Sequence, residues 1–122
     1  MILCQLSDSN SDICYLGKDE RIVFVADGIH REKVTAACEF VPLESVPCGM
    51  KRTAFQERCV LDSKFRGGFW KYSTERLFVL EDYLEFSGIN ECIHIENDNM
   101  IYFSVEHMLP TLRQEYNGLA AP

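Results

Sequence analysis

The run Ile22-Val23-Phe24-Val25-Ala26 constrains the fold of this chain more than any other segment. It is apolar at every position and ends at Asp27-Gly28. A half-exposed strand alternates apolar and polar residues. An unbroken apolar run of this length reads instead as a strand buried on both faces, the condition of a parallel sheet covered by helices.

The remaining segments are read around that strand. Residues 2–6 form a short apolar run, followed by a polar loop from Ser7 to Asp12. Ile13 to Leu16 reads as a strand ended by Gly17, with Lys18-Asp19-Glu20 as a turn. Residues 31–38 suit one or two helical turns, and Phe40 to Leu43 is extended, closed by Pro47 and Gly49. Residues 50–61 read as a helix and Phe65 to Gly68 as a loop, where Gly67-Gly68 permits unusual backbone angles.

The clearest helix is expected from Thr74 to Ser87. Ser73 or Thr74 can cap it, and Glu75 suits the positive end of its dipole. Leu77, Leu80 and Leu84 form its apolar face, flanked by Tyr83, and Gly88 stops it. Cys92 to Ile95 is a short strand, and Met100 to Phe103 is apolar again. Helical spacing returns from Ser104 to Tyr116, where Pro110 is expected to interrupt the helix or start it afresh. Strands alternating with helices give an α/β class with a mainly parallel sheet, in a single domain over residues 1–122.

Composition narrows the function. The chain has 122 residues, 47% hydrophobic and 25% charged, which suits one compact domain. Twelve basic residues are scattered among 19 acidic ones, for a net charge of −7. That balance argues against nucleic-acid binding and against anionic membranes as partners. Six cysteines form no C-x-x-C pair, so a zinc ribbon is not expected; their number allows a disulfide framework, but most sit in apolar runs and read as small buried hydrophobes. There is no basic segment and long apolar run of a signal peptide, and no stretch of roughly 20 apolar residues, so a cytoplasmic location without a membrane span is expected.

Ile93-His94-Ile95-Glu96-Asn97-Asp98-Asn99 is the site candidate. Residues two apart on an extended chain point to the same side, so Glu96 and Asp98 present two carboxylates together. Hard cations such as Mg²⁺ or Mn²⁺ take oxygen ligands and share them with phosphates. Glu96-Asn97-Asp98-Asn99 is also ordinary turn chemistry after a strand. Asp27, ending its own strand, is either a nucleotide contact or a turn residue. His94 reads as a packed core histidine, and His30 and His107 as surface residues. Phe69 and Trp70 suit stacking on a base or sugar, though beside a long helix they more often fill a core.

A wider pattern is carried by Tyr72-Ser73-Thr74-Glu75-Arg76-Leu77, Leu80 to Leu84, Cys92 to Tyr102 and Val105 to Leu109. It resembles retaining glycosyltransferases of the glycogenin type, in which a helix bearing Tyr and Arg precedes a strand ending in D-x-D. It resembles more strongly uncharacterised bacterial glycosyltransferase-like proteins with an E-R helix and an E-x-D strand end. The match covers residues 65–120 well and 12–48 loosely.

The resemblance implies part of a GT-A (nucleotide-diphospho-sugar transferase-like) fold, a Rossmann-type sheet with flanking helices. It implies that Asp98, and less surely Glu96, hold Mn²⁺ or Mg²⁺ against a nucleotide sugar such as a UDP-sugar. Arg76, placed near the start of its helix, Asn97 and Asp27 then contact the substrate. The acceptor half of such enzymes has no counterpart in 122 residues, so donor binding is implied more firmly than transfer. The alternative is a non-catalytic α/β interaction or regulatory protein that self-associates.

Overall fold

The computed structural model describes residues 2–5, 21–34, 38–96 and 104–118. The expected strand at Ile13 to Leu16, its neighbouring loop and turn, and the apolar segment Met100 to Phe103 lie outside the described residues.

Four strands are described: β1 (Ile2–Gln5), β2 (Ile22–Ala26), β3 (Glu39–Pro42) and β4 (Ile93–Glu96). Three α-helices accompany them: α1 (Met50–Arg58), α2 (Phe69–Ser87) and α3 (Val105–Glu115). The class is α/β. Every pair among the described strands is parallel and the order is β3-β2-β1-β4. Residues 2–5 of the short apolar run thus become a central strand, pairing Leu3 with both Val23 and His94.

The sheet is covered on both sides, as the sequence of β2 requires. All five β2 residues are buried. Val23 and Val25 face one way, against Val79 and Tyr83 of α2. Ile22 and Phe24 face the other, with Ile93 and Ile95 of β4 and with Val105 and Leu109 of α3. Val34 and Cys38, from the β2–β3 connection, pack on this second face, whereas the β3–β4 connection places α2 on the first. Parallel crossovers are almost always right-handed. A chain that winds outward from β1 to β3 and then returns past β1 to β4 must therefore change faces.

Helix α2 differs from expectation in two ways. It begins at Phe69, five residues before Thr74, so Ser73 and Thr74 lie inside it and Thr74 Oγ1 donates back to the Trp70 carbonyl at 3.0 Å. The break is made upstream, where Arg66, Gly67 and Gly68 all have positive φ (48°, 66° and 83°). A Cβ on Gly68 would stand 2.7 Å from the Tyr72 ring and 3.1 Å from the Ser63 carbonyl, so the turn requires glycine there. The buried face is Glu75, Val79, Asp82 and Tyr83, with Leu77 exposed and Leu80 partly buried. Tyr83, expected at the flank, is the most deeply buried side chain of the helix. The stop at Gly88 is as expected: φ is 67°, and the Ile89 amide donates to the Leu84 carbonyl at 3.1 Å.

α1 and α2 run antiparallel. Phe55 stacks on Phe78 at 5.0 Å, and Lys51 pairs with Glu81. Between the helices lies a buried ionic group. Arg52 reaches Glu75 at 3.4 Å and Asp82 at 3.7 Å, and Gln56 donates to Glu75 at 2.6 Å. A Cβ on Gly49 would come within 2.4 Å of Asp82 Oδ1, so glycine at the start of α1 lets that carboxylate in.

α3 is continuous through Pro110, contrary to expectation. Proline removes one helical hydrogen bond, the one to Glu106, and its ring presses on that exposed first turn. Burial of Val105, with Leu109 packed beside it, holds the helix across the defect. His30 is buried, not at the surface. Cys38, Cys59 and Cys92 are partly buried, whereas Cys48 is exposed. No helix among the described residues is long and apolar enough to cross a membrane.

Candidate functional site

The carboxyl ends of the strands define the site. Glu96 is the last residue of β4 and pairs in register with Gln5, the last residue of β1. Asp27 follows the last residue of β2, on the other side of β1. With strands ~4.8 Å apart, the ends of β2 and β4 stand about 10 Å from each other. Asp98 and Asn97 lie outside the described residues.

Arg76 and Glu96 form an ion pair. Arg76 is not near the start of its helix as expected, because α2 begins earlier. It lies in the third turn, opposite the end of β4. Its Nε is buried and has no hydrogen-bond partner among the described residues. Two residues back along β4 from Glu96, His94 points to the same side. Burial is the main influence on it and pushes its pKa down. The Arg76 charge pushes the same way, and Glu96 opposes both.

His94 therefore reports on this trio. Its imidazole is expected to titrate below the ordinary histidine value of about 6.5 in NMR titration. Arg76→Met should raise that pKa and Glu96→Gln should lower it. The depressed value means that the unfolded chain binds the proton more readily. Stability is then full above the unfolded pKa and declines as pH falls through the folded one, a decline that His94→Gln should flatten. A His94 pKa indifferent to both neighbours would separate the three residues.

Asp27 is exposed, and its side chain makes no cap bond to the 3-10 turn that follows. Its carbonyl accepts from the His30 amide at 2.9 Å. Next to it, the Gly28 amide donates to Glu44 Oε1 at 3.0 Å. That bond first, and the glutamate's own amide second, hold the Glu44 carboxyl below the usual carboxylate range. This edge already uses one amide to bind an anion.

Among the described residues, no group of three or more His, Cys, Asp or Glu is placed to hold a metal ion. Magnesium needs only one or two protein carboxylates when phosphate supplies further oxygens. Glu96 with Asp98 meets that donor requirement by residue type.

Phe69 and Trp70 do not fill the core. Both are exposed, edge to face at 5.0 Å. The sequence reading missed the Arg52–Glu75–Asp82 group. The available signal was Glu75 and Asp82, seven residues apart and so on one helix face.

Fold and site edge together define an α/β protein of the parallel, doubly wound kind. Compared with known protein families, curated proteins and solved structures, the chain matches none of them.

Proposed function

We propose that this protein binds a nucleotide sugar through a divalent cation, in the manner of the donor half of a GT-A glycosyltransferase. The observation that carries the reading is the position of Glu96. In open parallel sheets, ligands bind beyond the carboxyl ends of the strands, where the strand order reverses. Here the order reverses between β1 and β4. Glu96 closes β4 at that point, and Glu96-Asn97-Asp98 continues from it.

Arg76 supports the same reading. A cation at this edge, with a buried Nε lacking a partner among the described residues, suits an anionic ligand. Because Arg76 already engages Glu96, Asp98 is the principal metal ligand in this proposal and Glu96 the secondary one. Bound Mn²⁺ or Mg²⁺ supplies charge neutralisation to the diphosphate. Asn97 and Asp27 supply further contacts to the substrate in this proposal.

Calorimetry with UDP, with and without Mn²⁺, tests the proposal. Binding is expected with metal present, weakened at least about tenfold by Asp98→Asn and by Arg76→Met. Absence of binding in the presence of metal, or affinity unchanged in Asp98→Asn, rejects it.

A further inference from the structure

The antiparallel pair α1–α2 ends in a tip that the proposed site does not use. It comprises residues 59–68 and the first turn of α2. Large apolar side chains are unusually exposed there: Val60 at 96%, Trp70 at 56%, Phe65 at 53%, Tyr72 at 51% and Phe69 at 45%. Apolar exposure concentrated within residues 60–72 suits a docking surface.

Charge identifies the partner. Residues 59–72 contain three basic side chains (Lys64, Arg66 and Lys71) and one acidic, Asp62. Set against 12 basic and 19 acidic residues in the whole chain, the remainder carries nine and 18. The tip is thus formally +2 on a body of −9. Asp62 is engaged locally, accepting from the Lys64 amide at 2.7 Å. Arg66 lies over the Phe69 ring, its guanidinium carbon 5.7 Å from the centroid, and the Lys71 ammonium lies 5.8 Å from the centroid of Tyr72. Basic and aromatic groups are therefore interleaved, not segregated.

We propose that this tip docks on an anionic lipid surface. Trp, Tyr and Phe rings favour the headgroup layer, and adjacent Lys and Arg add attraction to acidic lipids. The left-handed residues Arg66, Gly67 and Gly68 turn the chain into α2 here, so the basic and aromatic groups are carried on one short segment between the two helices. An acidic body repels the same surface everywhere else, so the charge distribution also sets orientation. α2 runs away from the carboxyl edge of the sheet, where Arg76 meets Glu96. Phe69 is seven residues earlier, so the tip reaches about 10 Å beyond that edge. Docking turns the carboxyl edge toward the membrane. The net charge of −7, which argues against such a partner for the chain as a whole, conceals the local inversion.

Trp70 is the one tryptophan of the chain, so its emission reads the tip alone. The full chain is titrated with phosphatidylcholine vesicles, with or without phosphatidylglycerol. Emission is expected to shift to the blue, and the protein to float, with the anionic vesicles. Both effects should fade at about 0.5 M salt. Arg66→Glu with Lys71→Glu should weaken vesicle binding at least about tenfold with unchanged circular dichroism. Phe69→Ala with Trp70 retained should reduce the blue shift. No response at low ionic strength overturns the proposal, as does an equal response to both vesicles. A shift that grows with protein concentration without lipid also overturns it and assigns the tip to a second copy. A response to UDP and Mn²⁺ alone overturns it too, while leaving the nucleotide-sugar reading intact.

Discussion

Replacing Arg52 by methionine is expected to destabilise the protein by about 3–5 kcal/mol. Arg52 is 8% exposed between α1 and α2, and its guanidinium faces both Glu75 and Asp82. Asp82 is 6% exposed, and its Oδ2 makes no hydrogen bond among the described residues, so the 3.7 Å approach of Arg52 is its compensation. Methionine keeps the apolar stem and removes the charge, leaving two carboxylates under cover. A domain of this size has roughly 6–18 kcal/mol of stability at 0.05–0.15 kcal/mol per residue. The loss is therefore a large part of the total.

Urea denaturation measures it. The penalty arises from stranded charge, so it should not add. Arg52→Met combined with Glu75→Gln and Asp82→Leu should recover most of the loss, because neutral side chains carry no desolvation penalty of that size. A single Arg52→Met variant within about 1 kcal/mol of the parent would mean that water, not Arg52, solvates the two carboxylates.

The same helix shows what sequence patterns reveal and where they fail. β2 was legible because an unbroken apolar strand has one physical solution, cover on both faces. Gly88 was legible because only glycine adopts that left-handed stop without strain. α2's buried face was not. Leucine spacing favoured Leu77, Leu80 and Leu84, but the helix instead turns Glu75 and Asp82 inward. A buried Arg–carboxylate group leaves no periodic apolar trace. The helix start was misplaced because Ser73 and Thr74 are good caps, whereas the real break is three left-handed residues in which Arg66 joins Gly67 and Gly68. β1 was short enough to pass for a mere apolar run, and its central place depends on pairing with β2 and β4, which are distant in sequence. For the site, strand and motif were readable as neighbours. The crossing of Arg76 onto Glu96 needed the helix register, and Asp98 and Asn97 fall outside the described residues.

Phenylalanine gives the sharpest contrast between pattern and place. Phe24→Ala is expected to destabilise by about 3–5 kcal/mol. Phe24 is fully buried on β2, between Ile22 and the α3 residues Val105 and Leu109. Removing its ring leaves a cavity that the sheet backbone cannot collapse to fill, since β2 is hydrogen-bonded on both sides, to β1 and to β3. The void opens directly beneath α3, a helix already weakened by Pro110. Amide exchange should therefore quicken in α3 before it does in α2, whose contacts are with Val23 and Val25 on the opposite face. Phe69→Ala, by contrast, removes a ring already 45% exposed, and should change stability by less than about 1 kcal/mol. Equal losses for the two variants, measured side by side in urea, would contradict the two-faced burial of β2. A large loss at Phe24 with fast exchange confined to α3 would establish that each face of the sheet is held by its own helix.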